Sequence, residues 1–170
     1  MMWRQVLIIG GSVLAAVLIE LTLLSRIDLP GATPDLVVVT VVAIALAMGP
    51  MQGVVAGFAA GVLIDLAPPA DTILGVNAIV YMAIGFVTGF VIDPRDRTVP
   101  IEIGIVGLSA AAATLGTAAL DTLLGSGRVS WEDIPGMALS SALYAVILAP
   151  VVIVGIAWIV RKATPEILVT

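Results

Sequence analysis

Six runs of apolar residues, separated by short joints rich in polar residues, glycine or proline, constrain the fold more than any other feature of the sequence. The runs cover residues 6–24, 36–48, 51–66, 75–92, 101–124 and 134–160. Of the 170 residues, 61% are hydrophobic and only 11% are charged, whereas about a quarter of a typical soluble domain is charged. Since so few polar side chains could cover a water-facing surface, the sequence predicts an all-α integral membrane protein with six transmembrane helices.

The second and third runs are separated only by Gly49 and Pro50. A single helix over residues 36–66 would be about 46 Å long, which exceeds the hydrocarbon core of about 30 Å. Proline removes a backbone donor and disfavours helical geometry at the residue before it. The sequence therefore predicts two short helices joined by a tight turn.

The first run resembles a secretory signal because Arg4 precedes it. It is longer than a typical signal core, contains Glu20, and has no obvious A-x-A cleavage site. We therefore interpret it as a retained transmembrane helix.

Basic residues predict the orientation in the membrane. On a six-span map the residues that fall on the cytoplasmic side are Arg4, Arg95, Arg97, Arg161 and Lys162. Only Arg26 and Arg128 fall on the outer side, whereas a five-span map would put most of the basic residues outside. Because cytoplasmic loops carry an excess of lysine and arginine, we expect one six-helix domain over residues 1–170 with both termini in the cytoplasm.

Glycines recur at a helical spacing in the middle of the chain. Gly49, Gly53, Gly57 and Gly61 are four residues apart, and Gly85 and Gly89 repeat the spacing in the fourth run. Residues four apart form a ridge along a helix, and glycine there lets a second helix approach closely. The pattern predicts helix packing, although general glycine enrichment in membrane helices remains an alternative.

Three acidic residues lie in or at the edge of apolar runs. Glu20, Asp65 and Asp121 fall towards the outer ends of helices that run outwards, where the helix dipole disfavours an acid. We expect an outer polar cluster of these acids, with Arg26 and Arg128 as counter-ions. Asp35 and Asn77 would join it from adjacent helix starts. The alternative is that each acid reaches interfacial water.

Several functional classes are disfavoured by composition. The chain contains no cysteine and no histidine, which removes the commonest nucleophile–base and metal-ligand combinations. No G-x-G-x-x-G loop and no basic patch for nucleic acid occurs in the sequence. We expect no enzymatic activity, no catalytic or metal-binding residue and no cofactor.

Residues 33–90 carry a set of motifs in a recognisable order. These are Pro34-Asp35-Leu36, Gly49 to Gly53, Gly57-Phe58 with Gly61 and Asp65, Leu74-Gly75, and Gly85 with Gly89. This order and spacing resemble the rod shape-determining protein MreD family. One departure is the Gly-Pro turn, which often carries a basic residue in that family and is flanked here by Met48 and Met51.

The resemblance implies a non-enzymatic multi-pass subunit of the bacterial cell-elongation complex in the cytoplasmic (inner) membrane. Such a protein binds MreC and works with MreB, RodA and a penicillin-binding transpeptidase in lateral peptidoglycan synthesis and cell shape. It also implies a fold resembling the substrate-binding subunits of energy-coupling-factor transporters. The alternative function is a solute-binding membrane subunit of a vitamin-type transporter.

Overall fold

The computed structural model describes residues 2–24, 34–67, 73–92, 98–125 and 130–163, except for the side chains of Met2, Arg4 and Ala163. Within these ranges the helices are α1 (Met2–Thr22), α2 (Leu36–Met48), α3 (Pro50–Leu66), α4 (Val76–Val91), α5 (Val99–Leu123) and α6 (Ile134–Ala163). No strand occurs among the described residues. The predicted all-helical class is therefore confirmed.

The differences from the predicted runs lie at helix ends. The prediction began the third helix after Pro50, but α3 includes this proline at its first position. Likewise α5 begins at Val99 and includes Pro100 in its first turn. Both prolines are accepted because the first N–H groups of a helix have no intrahelical partner, so the missing donor costs little.

Three of the helices, α1, α5 and α6, are long and apolar enough to cross a membrane. The other three are shorter apolar helices of 13, 17 and 16 residues. Large apolar side chains are exposed on the long helices, among them Leu108, Leu139 and Val151, each more than 70% exposed. A surface of this kind suits contact with lipid rather than water and indicates a membrane protein.

The short helix α2 lies in the centre of the bundle and packs against all five other helices. Val37, Val41 and Ile44 have no exposed surface, and Thr40 is the only polar residue of α2. A helix that is hydrophobic on all sides is buried on all sides. The composition of α2 therefore explains its central position.

Helices α3 and α4 pack antiparallel with their backbones in contact. A Cβ atom added at Gly57 would overlap the carbonyl oxygen of Tyr81, and one added at Gly61 would overlap Cα of Ala78. No side chain fits at either position, so glycine is required there for the two helices to approach this closely.

The same contact continues towards the other end of the helix pair. Gly53 and Gly85 face each other, since a Cβ added to either would overlap the carbonyl oxygen of the other. A Cβ at Gly89 would lie 2.6 Å from Cα of Pro50. Five of the six glycines in the predicted packing set therefore lie on the α3–α4 contact.

Gly49, the sixth glycine of the predicted set, has a different role. It lies in the turn between α2 and α3 with φ of 101°, a conformation that L side chains rarely adopt. An added Cβ would meet only the side-chain oxygen of Gln52, at 3.6 Å. Gly49 is therefore required by the turn and not by close helix packing.

Candidate functional site: a buried polar cluster at one end of the bundle

Polar side chains from four helices and one helix-capping residue meet at the end of the bundle where α1, α3 and α5 end and α2 and α4 begin. The ends of α1, α3 and α5 therefore lie beside the starts of other helices. The first N–H groups of a helix have no intrahelical partner. This end of the bundle thus combines acidic side chains with unsatisfied backbone donors.

Glu20 of α1 accepts a hydrogen bond from the first turn of α2. The N–H of Val37 donates to the Glu20 carboxylate oxygen Oε2 over 2.9 Å. The start of a helix carries a partial positive charge, which favours an acid at this place. Glu20 is unfavourably placed with respect to its own helix and favourably placed with respect to the next.

Asp35 caps the same helix start from within the chain. Its Oδ1 accepts a hydrogen bond of 2.8 Å from the N–H of Val38, the usual geometry of an N-cap aspartate. Its Oδ2 accepts a hydrogen bond of 3.1 Å from the hydroxyl of Tyr81 on α4. Asp35 therefore ties the start of α2 to α4.

Burial also changes the protonation of Asp35, which precedes α2. Desolvation raises the pKa of this carboxyl from 3.8 to about 6, and the hydrogen bonds from Val38 and Tyr81 act in the opposite direction. Glu20 and Asp35 both accept hydrogen bonds from N–H groups in the first turn of α2.

Asp65 of α3 caps the start of α4. Its carboxylate accepts hydrogen bonds from the N–H of Gly75 at 2.8 Å, from the N–H of Ala78 at 3.3 Å, and from the side-chain amide of Asn77 at 2.9 Å. Gly75 has φ of 98°, a left-handed conformation that favours glycine. Asp65 is only 2% exposed, so backbone and amide donors take the place of water around it.

Helix α5 joins the cluster through Thr117. The hydroxyl of Thr117 donates a hydrogen bond of 3.3 Å to the side-chain oxygen of Asn77. Asp121, one turn further along α5, is also buried. Asn77 therefore connects α3 and α5 by donating to Asp65 and accepting from Thr117.

Five of the seven residues predicted for the outer polar cluster lie at this end of the bundle. Four of them make the hydrogen bonds described above, and the fifth is buried close by. Hydrogen bonds relate Glu20 and Asp35 to the start of α2, and Asp65 and Asn77 to the start of α4. Asp121 is buried near the end of α5. The two predicted counter-ions, Arg26 and Arg128, lie outside the described residues.

Two members of the cluster were not predicted. Tyr81 lies four residues after Asn77, and Thr117 lies four residues before Asp121, so each shares a helix face with a predicted residue. This spacing was the signal available in the sequence. It identifies the face but does not identify the partner across it.

The geometry favours a structural role for these acids. Oxygens of Glu20, Asp35 and Asp65 accept hydrogen bonds from backbone, amide or hydroxyl donors. Among the described residues, no group of three or more acidic side chains is placed to hold a metal ion. The cluster joins the helix ends of α1, α2, α3, α4 and α5.

Comparison with protein-family models, with curated proteins and with solved structures finds no match to this chain. The buried polar cluster and the packing of α3 on α4 are the structural observations on which a functional proposal rests. The resemblance described above depends on residues 33–90, which contain most of both features.

Proposed function

We propose that this chain is an MreD-type, non-enzymatic subunit of the bacterial cell-elongation complex. In this role it binds MreC in the cytoplasmic membrane and supports lateral peptidoglycan synthesis together with MreB, RodA and a penicillin-binding transpeptidase. The proposal rests on the resemblance of residues 33–90 to that family and on the physical role of the residues that carry it.

The observation that carries the proposal is the coincidence between the family-like motifs and the contacts of α2, α3 and α4. Asp35 caps α2, Asp65 caps α4, and Gly57 and Gly61 contact the backbone of α4. Motifs of this type serve to hold helices in a fixed arrangement rather than to perform a reaction. This supports a scaffold-like subunit whose surface binds partner proteins.

A six-span arrangement with both termini in the cytoplasm is part of the proposal. Helix α2, at about 20 Å, is shorter than the hydrocarbon core of about 30 Å. It is surrounded by the other helices, so its length need not match the bilayer. The start of α4 is capped by Asp65, which lies at the end of α3. These features are compatible with the fold of energy-coupling-factor substrate-binding subunits, which we propose as the nearest architecture.

The proposal is tested by removing the chain from a rod-shaped bacterium that encodes it. We expect cells to become round and to lose incorporation of new peptidoglycan along the side wall, with recovery when the wild-type chain is supplied. Normal rod shape and normal side-wall synthesis without the chain would contradict the proposal.

A further inference from the structure

One face of α6 carries a continuous stripe of exposed residues. Ile147, Val151, Val154 and Trp158 follow one another at intervals of four, three and four residues, which places them on one side of the helix. Each of the four is more than half exposed. The stripe continues at the next turn with Arg161 and Lys162, which are also exposed.

The order of chemical groups along this stripe matches that of a phospholipid. The distance from Ile147 to Trp158 is about 16 Å along the helix, which is close to half of a hydrocarbon core of about 30 Å. Tryptophan is enriched where the hydrocarbon ends, and long basic side chains extend to the headgroup level. Acyl chain, interface and phosphate thus have successive counterparts on α6.

The cationic end of the stripe is organised by an aromatic contact. The ammonium nitrogen of Lys162 lies 4.8 Å from the centre of the Trp158 ring, within the range of about 6 Å for a cation–π interaction. Arg161 is adjacent in the same helical turn. One positive group is therefore held over the aromatic ring, and the second belongs to the adjacent residue.

We propose that Ile147, Val151, Val154, Trp158, Arg161 and Lys162 form a binding site for one acidic phospholipid. Its acyl chain lies along the three aliphatic residues, and its phosphate is bound by Arg161 and Lys162. This site is separate from the cluster of buried acids, and it does not depend on the proposed role in cell elongation.

Charge complementarity selects an acidic lipid over a zwitterionic one. The whole chain has a net charge of −5, so its total charge provides no general attraction for anions. A preference for an anionic headgroup must therefore arise locally. Each basic side chain near an anionic headgroup is expected to increase binding about fivefold.

The proposal is tested by fluorescence quenching with brominated lipids. The full chain with Trp3→Phe and Trp131→Phe retains Trp158 as its one tryptophan. In mixed bilayers we expect brominated phosphatidylglycerol to quench Trp158 several-fold more effectively than brominated phosphatidylcholine. Adding Arg161→Gln and Lys162→Gln should abolish this preference, so that the two brominated lipids quench Trp158 equally; quenching by phosphatidylcholine that is at least as strong as before shows that the protein is still inserted.

Two further experiments test whether the preference depends on positive charge alone and whether free phosphate can replace the lipid. The exchange Arg161→Lys with Lys162→Arg keeps both charges and should keep the preference for phosphatidylglycerol. Inorganic phosphate at millimolar concentration should not reduce it. Equal quenching by the two lipids, a preference that survives the double glutamine change, or competition by inorganic phosphate would each overturn the proposal.

Discussion

The N–H of Gly75 donates a hydrogen bond of 2.8 Å to the carboxylate of Asp65, ten residues earlier in the chain. Through this contact, an acid at the end of α3 caps the start of α4. The same arrangement relates Glu20 at the end of α1 to Val37 at the start of α2. In both cases an acid that is unfavourable on its own helix stabilises the following helix in sequence.

Replacing Asp65 tests this capping role. In Asp65→Asn, an amide group would face the donors of Gly75 and Asn77, so we expect a loss of about 1–3 kcal/mol in the free energy of unfolding. Glu20→Gln should destabilise less than this, because the glutamine oxygen still accepts from Val37. Thermal unfolding of the purified proteins in detergent measures both.

The matched control is Glu102→Gln. Glu102 lies in the first turn of α5 at the opposite end of the bundle, so it does not belong to the polar cluster. We expect its unfolding temperature to remain close to that of the wild type. Equal unfolding temperatures in all three variants would show that the cluster contributes nothing to stability.

Replacing glycines distinguishes close helix packing from ordinary helix propensity. In Gly57→Ala the new methyl group would overlap the backbone of α4, and we expect a loss of about 1–3 kcal/mol, with a larger loss in Gly57→Leu. In Gly104→Ala the methyl group would enter open space, and the gain in helix propensity should stabilise α5 by roughly 0.5–1 kcal/mol. Opposite shifts of the unfolding temperature are therefore expected, and equal shifts would contradict the packing role.

The raised pKa of Asp35, about 6, predicts a pH dependence of stability. Because the folded state holds this proton more tightly than the unfolded state, the contribution is fully present below about pH 4 and is lost as the pH rises through about 6. Glu20 and Tyr81 are the titratable groups that interact with it, and Asp65 interacts in turn with Tyr81.

The dependence is isolated by comparison with Asp35→Asn, which keeps an oxygen to cap α2. The difference in unfolding temperature between the wild type and this variant should change between pH 4 and pH 7, to the disadvantage of the wild type. A difference that is constant with pH would show that Asp35 is ionised throughout this range.

The six-span topology is tested with single cysteines, since the chain has none of its own. Ser130 precedes α6 and Thr98 precedes α5, at opposite ends of the bundle, and both are exposed. In spheroplasts we expect a membrane-impermeant maleimide to label Ser130→Cys at once and Thr98→Cys only after permeabilisation. Labelling of Thr98→Cys from outside would exclude the proposed orientation.

Helix positions could be predicted from the sequence because apolar runs and proline–glycine joints define them locally. The split at Gly49 and Pro50 followed from helix length together with the effect of proline, and α2 and α3 meet there. Helix ends were less certain, since a proline such as Pro50 fits both a turn and a first helical position.

The polar contacts were less predictable, because a cap between helices depends on which ends meet in space. The acids Glu20 and Asp65 were recognised as out of place, but arginine counter-ions were the expected partners. Backbone N–H groups carry no sequence signal, so the N–H groups of Val37 and Gly75 could not be identified as the partners. Tyr81 was missed for a similar reason, since its hydroxyl reaches Asp35 from another helix.

Purification of the tagged chain from native membranes, with identification of the proteins that remain bound, tests the proposed function most directly. We expect stoichiometric recovery of a single-span, coiled-coil MreC-type protein, with less recovered from Gly57→Leu than from Gly104→Ala at equal amounts of folded chain. Absence of any such protein, together with recovery of ATP-hydrolysing transporter subunits, would contradict the proposed role in cell elongation and favour a solute-binding transporter subunit.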